Sequence, residues 1–524
     1  MLFRSLFPGL YGIRVNVPRF LPALREKIRV EPGASSRLSV RLAGLLSSIQ
    51  LVYPPPGEWR DMSEDWKWVL RTASATRPVL RYTTWEDREQ RSLLRKLTGP
   101  IGPVQGMVQV SAGDGGRVSP FGSESDLGTA FALATSLFGN NNLLVSGNLG
   151  YGADRGAPSM GFHTRYSREM PYGTQPEVSL TVRQMLRPQQ AGRALFGPGS
   201  ARQDMLQAFT VGIQDRLNLG DLIRLEYGFL YDSISFFERL EYLSSFGRLS
   251  YNIDEDTAVI VGYASGAPRP DSGAAGDGAL GRNLSALALF PRMSVRGGHA
   301  SLQRGEHFEV GLEQKLGDDA VEIAAFRDRL SNAAISGYFP AGLYAGDLLP
   351  DLFSPMSSFN AGSYQTTGYR VAYSRRLTEH VRVGAGYTYA SALASDREAL
   401  STSDPAELRS ALKPWREHFL AAQLTAQVPG ARTWITSSYQ WSRRAVVTPP
   451  DLFNASSNRV MPGMNVVVRQ PLPVLGYLPG KFEATAEVRN LLADGYIPMR
   501  TASGRRLVLV PSARSFRGGF NFVF

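Results

Sequence analysis

The chain has 524 residues, 43% of them hydrophobic and 20% charged, with a mean hydropathy of -0.17. No stretch approaches the roughly 20 consecutive apolar residues that a spanning helix needs; the longest candidate, residues 42–53, is too short and too polar, so a helical membrane protein is excluded. The absence of cysteine removes disulfide frameworks, thiolate metal sites and cysteine nucleophiles together.

The formal charge is +11, and residues 1–103 hold 17 Lys and Arg against 9 Asp and Glu. A basic arm suits nucleic acid or anionic lipid. Here the cations are scattered among acids, which favours a solvated linker and no nucleic-acid partner. Residues 1–10 interrupt their apolar run at Arg4 and Pro8, so no signal peptide is read there; for an exported protein that leaves two alternatives, a natural start upstream or a wrong export reading.

Short strands open the chain. Tyr11, Ile13, Val15 and Val17 alternate after Pro8-Gly9, Ile28 and Val30 follow, and Leu38, Val40 and Leu42 alternate after the turn at Pro32-Gly33. Three short strands fall below the size of a stable domain, so residues 1–45 are expected to be part of a β-sandwich that lacks its beginning. The stretches PGLYGIRVNVPRF and IRVEPGASSRLSVRLA resemble the carboxypeptidase-regulatory-like sandwich often found ahead of barrels. Residues 46–103 read as a periplasmic linker or partial lumen filler. Within them residues 63–71 suit a short helix, with Ser63 as cap and Glu64 and Asp65 in its first turn; Trp66 and Trp68 cannot share one of its faces.

From residue 104 onward period-two alternation dominates. Ile223, Leu225, Tyr227, Phe229 and Tyr231 oppose Arg224, Glu226, Gly228 and Asp232. Phe308, Val310, Leu312 and Leu316 oppose Glu309, Gly311, Glu313 and Lys315; Val381, Val383, Ala385, Tyr387 and Tyr389 oppose Arg382, Gly384, Gly386 and Thr388; Phe482, Ala484, Ala486 and Val488 oppose Glu483, Thr485 and Glu487. Strands of about 9 to 12 residues with apolar faces ending in aromatics suit a tilted bilayer crossing. A soluble sandwich uses strands of about 5 to 6 residues.

The connections sharpen this. Tight turns fall at 217–220, 254–256, 316–319, 378–380 and 428–430, alternating with long loops near 232–242, 265–305, 331–362, 392–415, 443–458 and 492–512. That parity belongs to outer-membrane barrels. The expected fold is therefore all-β: a large antiparallel transmembrane barrel over residues 104–524, of about 18 strands within a range of 16 to 22. Arg224, Glu226, Glu309, Glu313, Arg382, Glu483 and Glu487 are expected to face a hydrated lumen. At the C-terminus Phe516, Phe520, Phe522 and Phe524 share a face, an apolar edge that only pairing with the first strand would protect.

The segments EVRNLLADGYIP and PSARSFRGGFNFVF resemble the last strands of TonB-dependent receptors, through Asn490, Leu491, Tyr496, Pro511, Arg514, Phe516, Phe520, Phe522 and Phe524. HFEVGLEQKLGDDAVEIAAFRDRLSNAAI is similar to a mid-barrel hairpin of that family, with Glu309, Gly311 and Glu313. The resemblance implies the bacterial outer membrane, contact with its lipid, insertion by the barrel assembly machinery, the TonB complex as energy-coupling partner, and an unidentified extracellular ligand. Loops 265–305 and 331–362 are the expected ligand-binding segments. One departure stands out: residues 46–103 are too few for the family's plug, and no coupling box is found, which argues against active transport by this stretch alone.

Catalytic and metal constellations are not found in the sequence pattern, so neither an enzyme nor a cofactor is expected. GRALFGPGS at residues 192–200 mimics a phosphate loop, but Pro198 stands where lysine must reach the phosphates. Asp254 and Asp256 lack a following ligand run, no Gly-x-Ser-x-Gly elbow occurs, and His163, His299, His307, His380 and His418 show no metal-ligand spacing, suiting loop or girdle positions. Two readings follow: a receptor or transporter binding a ligand through its loops, and a plugged or passive barrel serving as a surface adhesion or structural scaffold.

Overall fold

The computed structural model describes the strands at residues 9–15, 23–30, 49–50 and 81–82 and, from residue 104 onward, all but 114–116, 120–121, 125–126, 139–140, 152–157, 171–173, 187–204, 220–221, 237, 255, 268–279, 281–283, 285–286, 288–289, 339–346, 352–355, 396–403, 455–461, 474–479, 494–495, 501–505 and 511–513. Gly9–Val15 pairs antiparallel with Ala23–Val30, as the first alternating stretches suggest. The expected strand around Leu38–Leu42, the helix at 63–71 and the phosphate-loop mimic lie outside the described residues.

Eighteen strands, numbered here in chain order, close into one antiparallel barrel. The first six are β1 (Gln105–Gly113), β2 (Leu127–Leu137), β3 (Asn141–Tyr151), β4 (Pro158–Arg168), β5 (Glu177–Leu186) and β6 (Met205–Leu219). Next come β7 (Ile223–Ser235), β8 (Arg239–Asn252), β9 (Thr257–Gly266), β10 (Arg304–Leu316), β11 (Asp319–Ser331) and β12 (Tyr364–Arg376). The ring finishes with β13 (Val381–Ser395), β14 (Leu412–Gln427), β15 (Trp434–Ser442), β16 (Gly463–Leu472), β17 (Lys481–Arg489) and β18 (Ser515–Val523). Every strand pairs with its neighbour in sequence, and β18 returns to β1 through Phe520↔Val110 and Val523↔Met107. Reciprocal backbone bonds of 2.8 and 2.9 Å between Gly106 and Phe524 complete the seam. No strand edge of the ring is left open, so the ladder itself satisfies the wall's backbone groups, as a lipid environment requires.

Burial is inverted relative to a water-soluble protein. On β18 Phe516, Gly518 and Phe520 are exposed while Asn521 is buried; on β10 Phe308 and Val310 are exposed while His307 and Glu309 are buried. Oil-facing side chains on the outside and polar ones inside are what a lipid-embedded wall demands. Tyr369, Tyr389 and His418 cluster on the outer face, with ring centroids 5.5 and 4.7 Å apart, as an interfacial girdle would.

The two rims differ. At one, strands are joined by connections no longer than eight residues, such as 317–318 and 253–256. In the latter, Asp254 Oδ1 accepts from the backbone N–H groups of Asp256 and Thr257 at 2.9 and 2.7 Å. Those donors hold its carboxyl below the usual range, so its acidic character belongs to the turn. The other rim carries the long loops. Two sequence expectations need correction. β6 runs through Leu219 and β7 restarts at Ile223, so that turn falls at 220–222 rather than 217–220. The long loop expected at 232–242 is a short link at 236–238, because β7 continues to Ser235 and β8 begins at Arg239. The ladder extends there because Ile234 and Phe236 are buried against Phe290 and Met293 of the next long loop.

Those loops are packed structure. The sheet Leu348–Pro350, Ser357–Asn360, Ala334–Tyr338, Arg506–Val510 and Ile497–Arg500 joins two of them across the rim. Helix α1 (Pro405–Ala411) begins at Asp404, whose side chain accepts from the Ala406 N–H. Its Leu408 enters a core with Leu330, Ile335, Phe359, Leu393, Val447, Leu452 and Leu509. Among the described residues the largest apolar core thus sits at the loop rim.

Ile323 is 46% exposed on the outer face between Leu312 and Val371. Its replacement by arginine is expected to lower the unfolding free energy in lipid vesicles by about 2–4 kcal/mol, measured by urea titration. An unchanged midpoint would place that face in water.

Candidate functional site

All seven charges expected in the lumen lie on the inner face. Arg224, Glu309 and Glu483 are buried, Glu226 and Glu487 retain 14% and 11% side-chain exposure, and Glu313 and Arg382 are half-buried. The inner wall is polar, and among the described residues Arg224, Glu226, Glu309 and Glu487 are each held in an ion pair.

Two networks result. Near the short-turn rim, Arg216 Nε lies 3.2 Å from Glu226 Oε1, and Arg224 pairs with the same oxygen. Gln214 Nε2 donates to Glu177 Oε1 at 2.8 Å, and Arg165 stands 3.7 Å from that oxygen. Nearer the loop rim, Arg370 of β12 gathers three acids. Its Nη2 lies 2.5 Å from Glu309 Oε2, its Nε 3.0 Å from Glu322 Oε1, and its Nη1 pairs with Asp451 of the loop after β15. His307 Nδ1 and Asp328 Oδ1 sit 2.5 Å apart beside it.

The loops reach down to this wall. Phe453 stacks on His307 at 5.0 Å between centroids. It fits because position 305 is glycine: a Cβ there would stand 2.6 Å from the Phe453 ring. On the opposite arc Leu280, Leu284 and Leu287, from the loop between β9 and β10, are buried at helical spacing. Leu280 and Leu284 pack on Met107, Ala132, Ala134 and Leu144 of the wall. Leu287 lies over Gly161, where a Cβ would meet it at 2.9 Å, and its carbonyl accepts from Arg183 Nε at 3.2 Å. Glycines on the inner face are thus seats for loop side chains. Arg292 of the same loop donates to the Ala334 carbonyl from Nη2 at 2.8 Å and to Ser336 from Nη2 at 2.5 Å; burial pushes its pKa down to about 10, so it stays cationic at neutral pH.

A family model described as TonB dependent receptor-like, beta-barrel, matches residues 59–463. The chain belongs to that family. Its closed wall places this receptor-type barrel in the Gram-negative outer membrane. Among solved structures it is similar to the ferric enterobactin receptor PfeA of Pseudomonas aeruginosa, at 12% identity and TM-score 0.39 over 76% of this chain and 62% of that one. The FrpB iron transporter of Neisseria meningitidis gives 12% identity and TM-score 0.36 over 86% of each chain. The ferric preacinetobactin receptor BauA of Acinetobacter baumannii gives 12% identity and TM-score 0.36 over 80% of each. This chain thus spans under two thirds of the PfeA structure. A search of curated protein sequences gives no match.

In this receptor-type barrel the expected C-terminal signature scatters. Phe516 and Phe520 face outward, with Leu491 and Tyr496 exposed nearer the loop rim. Phe522 and Phe524 are half-buried at the seam, where Phe524 packs against Phe522 at 5.6 Å. Arg514 is exposed where the chain enters β18 from the loop rim, and Pro511 lies outside the described residues. Asn490 is buried at positive φ, its backbone N–H donating to Asn465 Oδ1 at 2.9 Å, so it turns the chain out of β17. Of the expected ligand loops, the described residues Leu280, Leu284 and Leu287 of 265–305 pack on the inner wall, and Ala334–Tyr338, Leu348–Pro350 and Ser357–Asn360 of 331–362 are strands of the rim sheet.

His299 and His380 lie in connections and His418 in the outer aromatic cluster, but His163 and His307 are buried on the inner wall, contrary to the loop or girdle placement expected of them. Asp451 and Phe453 were invisible from spacing, because a loop brings them to β10. His307 and Asp328 were legible in principle: a hairpin turning at 317–318 sets them directly opposite.

Replacing Arg370 by methionine leaves Glu309 and Asp451 buried without their cation, a cost of about 3–5 kcal/mol. Replacing Arg376, whose 2.9 Å pair with Asp318 is partly exposed, should cost no more than about 1 kcal/mol. Urea titration in vesicles compares them, and equal losses would contradict a dry network.

Proposed function

We propose that the chain is the barrel of an outer-membrane uptake receptor whose loop rim faces outside the cell and captures a solute, the loop between β9 and β10 acting as an internal gate. The packed rim supports this reading: its loops share one apolar core and present a shaped surface above a charged lumen. The loop segments at 265–305 and 331–362 are assigned to the ligand, and TonB is the coupling partner the family implies. The outward Phe516 and Phe520 of β18 are assigned to the lipid, and the terminal strand as a whole to recognition by the barrel assembly machinery. No catalytic step is assigned.

A scaffold reading is favoured by the same burial, since a sealed mouth needs no passage. Planar-bilayer recording separates the two. The intact chain should pass no steady current, and deletion of residues 268–289 should open one in protein that still shows the heat-modifiable mobility of a folded barrel. A silent deletion variant would favour the scaffold, and steady current through the intact chain would mean an open pore.

A further inference from the structure

We propose that His307, Asp328 and Asp451 form a site for one divalent transition-metal ion that clamps the loop after β15 to the inner wall. The three come from β10, β11 and that loop, and one donor atom of each lies within 4.8 Å of the others. All are buried, at 6%, 1% and 5% exposure. The cross-strand pairing of His307 with Asp328 fixes two ligands through the ladder, and stacking on Phe453 fixes the imidazole plane.

The second observation is an unmet demand. Asp328 Oδ2 and Asp451 Oδ1 are buried without a hydrogen-bond partner, and a buried carboxylate oxygen left so is costly. Around them Glu309, Glu322, Asp328 and Asp451 gather at the guanidinium of Arg370 and the imidazole of His307. A dication supplies the partner that Asp328 Oδ2 and Asp451 Oδ1 lack. One imidazole with carboxylates suits zinc, iron(II), cobalt(II) or manganese(II) better than calcium, which takes oxygen ligands.

His307 Nδ1 and Asp328 Oδ1 lie 2.5 Å apart, within hydrogen-bond reach. An ion bound at Nδ1 replaces that hydrogen bond and releases its proton to solvent. The ring then carries its hydrogen on Nε2, on the side of Glu309 Oε2, 3.8 Å away; that carboxylate becomes the outer partner metal-bound histidines commonly have once it closes to about 3 Å. Bonds of about 2.0–2.2 Å require the His307 and Asp328 donors to open to roughly 3.0–3.4 Å by side-chain rotation. Occupancy would tie Asp451 and Phe453, and so the loop between β15 and β16, to the wall. This site is independent of the solute captured at the rim.

The test uses the full chain in detergent, stripped with a chelator and titrated with cobalt(II). The expected result is one cobalt per chain, with nitrogen and oxygen neighbours in X-ray absorption and slowed hydrogen exchange across residues 443–454. His307→Gln and Asp451→Asn should each abolish stoichiometric binding in heat-modifiable protein. No retained cobalt, or retention untouched by both substitutions, overturns the site. Should neither variant fold, the wild-type exchange decides alone, and cobalt that leaves residues 443–454 unprotected overturns it.

Discussion

The structure depends on one constraint: every strand of the wall must show hydrocarbon to one side while its backbone hydrogen bonds are met within the ring. Lipid offers no donors or acceptors, so a spanning sheet must close on itself, and the Gly106–Phe524 bonds are the point where this one does. Closure converts a period of two in sequence into two surfaces of opposite character. Phe229 at 53% exposure and Arg224 at 3% lie on the same strand, and neither value makes sense for a protein folded in water.

That inversion sets the chemistry inside. Charges on the inner face are removed from lipid, yet the loops that descend also remove them from much of the water, so each must find a partner. Arg370 with Glu309, Glu322 and Asp451 is the clearest case. Buried pairs of this kind add little net stability but make the removal of one member costly, so they specify where a loop may rest. Gly305 beneath Phe453 and Gly161 beneath Leu287 complete that specification by shape. The position of the loop and the character of the wall are one solution, in which charge fixes the anchor and missing side chains make the room.

The wall was legible in the sequence because alternation is local. The faces of Ile223–Tyr231 and Phe308–Leu316, the strand number and the inward set from Arg224 to Glu487 follow from period two and turn spacing. What could not be read is long-range. Nothing in the sequence around Asp451 names β12 as its destination, and Leu280, Leu284 and Leu287 show a helical stripe without saying what it packs on. The link at 236–238 looks like a long loop in sequence because polar residues such as Asp232, Ser233 and Ser235 mimic loop composition, whereas they continue the β7 ladder. That Glu309 shares Arg370 with Asp451 of a distant loop is likewise a tertiary fact.

The central claim is the two-faced closed wall, and the lack of native cysteine allows single labelled cysteines to test it. Spin labels placed in turn at residues 515–521 of the protein in lipid vesicles would be challenged with oxygen, which concentrates in lipid, and with a water-soluble nickel complex. The account predicts relaxation by oxygen at 516, 518 and 520 and protection from it at 515, 517, 519 and 521, alternating with a period of two. Uniform access to the nickel complex along the strand, or no alternation, would contradict it.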